Sequence, residues 1–419
     1  MAAVNGVCLS PPPGVWFTLE VIANGDRIET RVDGKEAVVY VDSQRAFARG
    51  RFAIQALTPE TIIRARKIEV RRLPTTALAA PRTEGPLPAI APFSATQARA
   101  YQREWSAYLG VEPEVTNSIG MKFRLIPPGE FQMGTPPEEL RTVIEEARSG
   151  AALKHEVTGL EREWPPHEVR LTQPYYLGTH EVTYGQYRAF VRATGYKTEV
   201  EKNGLGGWST YRTDWVRRPA HVWSKPGEWQ PGDDEPVVQM NWSDAHAFCT
   251  WLSSVEGRSY VLPTEAQWEF ACRAGAYGLY GACDLGDLQD YAWIRENQRG
   301  PDTHRPHPVG LKRPNAFGLY DMLGNVWEHC ADWYSVAPVG SASRTDPTGP
   351  AMGTAKVLRG GGWHRSGEVF ARCSVRERTL NESGTDAGTG FRIAIVGELK
   401  TLRLAPAPRL VAPPPQPTP

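Results

Sequence analysis

The sequence predicts an α+β fold with much irregular loop, preceded by a small antiparallel β-module. Three observations lead there. Asn24-Gly25 and Asp33-Gly34 sit between short apolar runs near the start of the chain, and both dipeptides favour hairpin turns that need positive φ. Later, strand-like runs alternate with three short helical patterns that carry their own capping residues. The chain also holds 14 Trp with 40 Gly and 36 Pro, a balance that implies large aromatics packed under turns and loops.

At 419 residues there is room for more than one domain. Hydrophobic residues make up 41% and charged residues 22%, as in a globular protein. Basic and acidic residues balance at 47 each, which removes any bulk electrostatic case for nucleic acid or an anionic membrane. No apolar run approaches the ~18 residues of a membrane span. Residues 1–14 lack Lys and Arg, so no secretory signal is expected and the chain reads as cytoplasmic. Six scattered cysteines form no CxxC pair, which excludes a zinc ribbon.

In chain order, strands are expected at 16–22, 27–32, 37–41, 51–57 and 62–73, together a β-module over 1–73. A Pro- and Ala-rich linker follows from 74, and Ser94-Ala95-Thr96-Gln97 forms a capping box. The helix it starts carries Tyr101, Trp105, Tyr108 and Leu109 on one face and ends at Gly110, closing a connecting segment over 74–115. The main domain is expected over 116–398, opening strand-turn-strand at 123–134. Its helices are expected to begin at Thr183, Ser243 and Thr264 and to stop near Gly195, Gly257 and Gly275. Ala247, Phe248, Trp251, Leu252 and Val255 should face the core. The Trp- and Gly-rich loop 197–237 is long for a compact domain and marks a functional segment. The Pro-rich tail 399–419 is expected to be disordered.

Gly318-Leu319-Tyr320-Asp321-Met322-Leu323-Gly324-Asn325-Val326-Trp327-Glu328, then Arg359-Gly360-Gly361-Gly362-Trp363, then Gly390-Phe391-Arg392, closely resemble landmarks of the formylglycine-generating enzyme (sulfatase-modifying factor) family. Further landmarks at His180-Glu181-Val182-Thr183 and Leu262-Pro263-Thr264-Glu265 extend the resemblance across 116–396. It implies a C-type-lectin-like fold and an oxidase that converts a sulfatase cysteine to formylglycine on copper. Residues 15–73 resemble, more weakly, the end of a concanavalin-like jelly roll of the sugar-hydrolase-associated type. Their abrupt start leads to the expectation of a scaffold or sensor piece of a larger signalling protein.

Carried over residue by residue, the resemblance implies a calcium site made by Asp321, the carbonyls of Gly324 and Val326, and Glu328. The other reading of those residues is a tight turn at Gly324-Asn325 with Glu328 as a buried, hydrogen-bonded carboxylate. Trp293 stands where the family's other calcium site has a polar ligand, so that site is not carried over.

Copper(I) favours two soft thiolates. Between Arg359 and Phe391 the chain has only Cys373, and Glu368 occupies the position of one of the family's catalytic cysteines. No catalytic residue is therefore assigned and copper is not expected, unless Cys330 joins Cys373 in a rescued site. The resemblance pairs Cys272 with Cys373 in a disulfide; two buried thiols are the alternative. None of the nine histidines begins an H-x-[DE] motif, so a non-haem iron oxygenase is not expected. The expected function is a non-standard member of the family. Its cleft, an exposed aromatic floor of Trp327 and Trp363 with His364 and Arg365, would bind a peptide, glycan or protein partner.

Overall fold

The computed structural model describes three strands between Leu19 and Val41, then residues 85–399 apart from 150–162, 164, 212–213, 299–303, 336–343, 366 and 380–384. The expected strands at 51–57 and 62–73 and most of the expected tail lie outside the described residues. The chain divides into two compact units, Met1–Ala79 and Ala80–Pro419. In the first, Leu19–Asn24, Arg27–Val32 and Lys35–Val41 pair as an antiparallel meander, with the register shifting between Thr30 and Arg31.

The second unit mixes sheets and helices. Its five-stranded antiparallel sheet runs in the order Ser259–Val261, Ala394–Val396, Tyr175–Gly178, Lys122–Ile126, Glu114–Thr116. One four-stranded sheet joins Arg376–Arg378, Lys356–Arg359, Trp327–Trp333 and Thr389–Gly390. Another joins Arg344–Thr345, His167–Leu171, Gly129–Met133 and Ala89–Ile90. Ala89–Ile90 falls within the stretch whose composition reads as linker: its backbone adds a parallel edge to Gly129–Glu130.

Local cap chemistry places the helices. Ser94, Thr183 and Thr264 each form a capping box with the Gln three residues on, at the heads of Ala95–Leu109, Tyr184–Thr194 and Glu265–Arg273. The helix Trp242–Glu256 is capped by Asn241 rather than Ser243, because Asn241 Oδ1 accepts from Asp244 N while Asp244 Oδ2 accepts from Asn241 N, each at 2.9 Å. Gly257 ends it in the left-handed region. Val255, expected inward, is 42% exposed. No described helix is long and apolar enough to cross a membrane.

Two large apolar clusters fill the unit, one around Trp268, Phe270 and Phe131, the other around Phe248, Tyr187 and Phe391. Arg359, Arg372 and Arg392 are also fully buried, each on a glutamate: Glu269, Glu163 and Glu328 in turn. Such pairs stabilise only while both partners and their hydrogen bonds stay intact.

A buried carboxyl without a cation that bonds it behaves differently. Asp332 accepts from Glu265 N at 2.8 Å, and burial, then Glu265, push its carboxyl up to about 7. Its folded pKa lies above the unfolded value near 3.8. The stability it contributes is therefore complete in acid and is lost as pH rises through about 7. Asp332→Asn should raise stability at pH 8 by on the order of 2–4 kcal/mol and far less at pH 5. Calorimetry of both proteins at the two pH values checks this.

Candidate functional site

The loop Asp321 to Glu328 is built on two constraints. Gly324 has φ 75°, and a Cβ there would lie 2.2 Å from the Trp293 carbonyl oxygen, so only glycine lets the two backbones meet. Asn325, also left-handed, donates its backbone N–H to Trp293 O at 2.8 Å. The turn delivers Glu328 into the core at the start of the strand Trp327–Trp333.

Glu328 is there fully engaged. Arg392 grips it in bidentate fashion, Nε to Oε2 and Nη2 to Oε1 at 2.6 Å each, and Trp268 Nε1 donates to Oε2 at 2.7 Å. The guanidinium also donates to the carbonyls of Gly178, Tyr320 and Asp321. Two sequence landmarks far apart in the chain thus meet as one ion pair. Glu328 has the features of the second reading, a buried carboxylate hydrogen-bonded to Arg392 and Trp268.

Asp321 is different. Its Oδ2 accepts from Gly310 N at 2.7 Å, while Oδ1 is buried with no partner, and burial pushes the carboxyl up to about 6. Glu181 is wholly buried, and neither of its carboxylate oxygens has a hydrogen-bond partner among the described residues. Burial, then the Asp321 charge, holds the Glu181 carboxyl well above the usual range. These orphaned oxygens suit a hard cation, which takes carboxylate and carbonyl ligands. Among the described residues no three His, Cys, Asp or Glu side chains form a ready-made metal cluster. The carbonyls of Gly324 and Val326 lie on the same turn as Asp321. At the position of the family's other site, Trp293 stacks on His307 at 3.8 Å between ring centres. Lys312 Nζ stands 3.9 Å from the Trp293 ring.

The expected cleft is also rearranged. Trp327 and Trp363 are not an exposed floor: they are 3% and 1% exposed. Leu140 and Val143 of the helix Pro137–Ser149 share an apolar cluster with Trp327, and Phe370 meets it edge-on. The hairpin Gly207–Tyr211 and Asp214–Arg218, inside the long loop, lays Trp215 parallel to Trp363 at 6.3 Å. What stays half-exposed is His364, Arg365 and Trp215, with Trp208 39% exposed on the same hairpin.

His364 packs edge-on against Trp215 and Trp363, and a Cβ on Gly388 would lie 2.4 Å from its Cε1. Burial, then Arg365 and Arg295, keep its imidazole neutral, well below the usual range. His364 Nδ1 and Arg365 Nε are buried without a partner. The placement of Trp208 and Trp215 on one hairpin was missed by sequence reading; the length and Trp content of loop 197–237 were its signals.

The thiols face inward. Cys272 and Cys373 lie with sulfurs 3.2 Å apart and unbonded, both buried. The described thiol beside Cys373 is thus Cys272, and Cys330 is a separate buried thiol. Glu368 lies in the short helix Gly367–Phe370.

Comparison with known proteins agrees with this architecture. Residues 112–396 match the profile of the "Sulfatase-modifying factor enzyme 1-like domain". A formylglycine-generating enzyme of Thermomonospora curvata is 34% identical over 279 residues, covering 55% of this chain and 85% of that one. The inactive C-alpha-formylglycine-generating enzyme 2 of Bos taurus is 29% identical over 315 residues, covering 67% and 90%. The solved structure of PvdO from Pseudomonas aeruginosa superposes with a TM-score of 0.53 at 26% identity, covering 68% of this chain and 98% of that one.

Proposed function

This chain belongs to the sulfatase-modifying factor family, and from that premise we propose that it is a member without cysteine-oxidising chemistry that binds an extended peptide segment of a partner protein. The observation that carries this reading is the loop after Arg359. Its lone thiol, Cys373, is turned into the core against Cys272, and Glu368 stands where a second sulfur would be needed. Neither Glu nor His reproduces a bis-thiolate site for copper(I).

The binding face would be Trp208, Trp215, His364 and Arg365. Flat aromatic surface suits a peptide backbone, and the half-exposed side chain of Arg365 suits carbonyl or carboxylate oxygens. A sulfatase-derived peptide containing cysteine serves as the probe, followed by fluorescence anisotropy. Arg365→Ala should weaken its binding by about 1.5–3 kcal/mol. Binding unchanged by that substitution, or no binding by the wild type, would remove this face from the account.

The same reading includes a calcium ion held by Asp321, the carbonyls of Gly324 and Val326, and Glu328, implied by resemblance and supported by the orphaned Asp321 oxygen. When bound, the ion would neutralise buried charge and fasten the turn below Trp327. Glu328 and Arg392 hold the strand and the turn together beside it.

A further inference from the structure

We infer that the helix Pro137–Ser149 is an autoinhibitory cover: it fills an apolar groove continuous with the peptide face, and the partner peptide displaces it to reach Trp327 and Phe370. The inference rests on the peptide-binding reading and adds the regulation of that site.

The helix stands on a base fixed by polar bonds. A Cβ on Gly134 would lie 2.5 Å from the Glu163 carbonyl oxygen, and Thr135 N donates to that same oxygen at 3.3 Å. Thr135 Oγ1 and Ser374 Oγ donate to Glu163 Oε2 at 2.7 and 2.8 Å. Arg372 grips both carboxylate oxygens of Glu163 at 2.7 and 2.8 Å. Gly134 N donates to Glu269 Oε1 and Gly134 O accepts from Arg273 Nη2, each at 2.9 Å. The chain between Thr135 and Glu163 therefore leaves the body and returns to it at one buried, pinned point.

Along the helix the grip is apolar. Leu140 and Val143, three residues apart and so on one face, are buried, and Ile144 is half-buried beside them. They cover Trp327, Leu358, Val369, Phe370 and Val375, a cluster separate from the two large ones. Arg141 Nε and Thr142 Oγ1 donate to the helix's own carbonyls at Pro137 and Glu138, at 3.3 and 3.1 Å. Half-buried Glu139 adds little hold: burial raises its carboxyl against the attraction of Arg273 and Arg372. An element pinned at its base and packed through a few aliphatic side chains can lift without unfolding the rest.

What lies beneath the helix adjoins the peptide face. Phe370 meets Trp327 edge-on at 6.1 Å, and the Arg365 guanidinium lies 5.1 Å from the centre of the Phe370 ring. Arg365 thus stands on the rim, and aromatic surface continues behind it to Trp327. A peptide whose carbonyl or carboxylate meets Arg365 gains that surface by placing a large apolar side chain where Leu140 and Val143 now sit. While the helix is seated, part of the peptide's binding energy goes into lifting it, and the apparent affinity falls by the fraction of open molecules.

Two measurements on the full chain test this, with a sulfatase-derived peptide carrying cysteine and leucine as the probe. The first reads amide hydrogen exchange over residues 137–149 in the wild type. Exchange should speed up at least about tenfold when the peptide is bound. The second uses Leu140→Ala with Val143→Ala, which loosens the cover and leaves the groove and Arg365 intact. That protein should keep its main unfolding transition and bind the peptide at least about tenfold more tightly in fluorescence anisotropy. Exchange unchanged or slowed by bound peptide would overturn the inference and leave the peptide-binding reading standing, whether or not the substituted protein folds. An affinity in the folded variant within about threefold of the wild type, or weaker, would do the same. Peptide bound by neither protein would remove both.

Discussion

Arg392→Met is expected to destabilise the fold by at least about 3–5 kcal/mol, the range for removing one partner of a buried ion pair. Arg392 is fully buried, binds both oxygens of Glu328, and donates to the carbonyls of Gly178, Tyr320 and Asp321. Its loss orphans those acceptors and removes the cation that bonds Glu328 and also acts electrostatically on Glu181 and Asp321. The midpoint of urea unfolding measures the effect. Removing both partners should cost less than the sum of single losses, because Arg392→Met with Glu328→Leu leaves neither a lone charge nor a lone acceptor carboxylate. Glu181→Gln should partly restore the Arg392→Met protein by relieving repulsion. A cost below 1 kcal/mol for Arg392→Met would show that the pair does not hold the turn to the strand.

The parts of this fold governed by local chemistry could be read directly from the chain. The caps at Ser94, Thr183 and Thr264 are properties of four-residue windows, and each helix begins where its cap stands. Ser243 misled because two cap-forming residues stood close together; Asn241 prevailed through its reciprocal bonds with Asp244. The landmark motifs were equally visible, but not what each does to the other. Glu328 and Arg392 are 64 positions apart, and only the pairing of strands brings them together. The missing hydrogen-bond partners of Glu181 are likewise a property of the tertiary structure. Trp327 and Trp363 were expected at the surface because the helix Pro137–Ser149 and the 207–218 hairpin leave no sequence mark of what they cover.

The thiol chemistry leads to the second large effect. Oxidation of a substrate cysteine to an aldehyde requires copper(I) between soft sulfur ligands, with oxygen as the oxidant. In this chain Glu368, a hard oxygen donor, stands in the sequence where the family has a cysteine, and Cys373 is buried against Cys272. Supplying a thiol from Cys330 would require that residue, also fully buried, to leave its own packing. Turnover should therefore be absent, or lower by orders of magnitude than that of an enzyme with the cysteine pair. The direct test incubates the full chain, supplied with copper and oxygen, with a sulfatase-derived peptide containing cysteine, and follows the peptide by mass spectrometry. The peptide should bind and be recovered with its thiol unchanged; loss of the thiol with gain of an aldehyde, at more than one turnover per chain, would show that this chain oxidises cysteine after all.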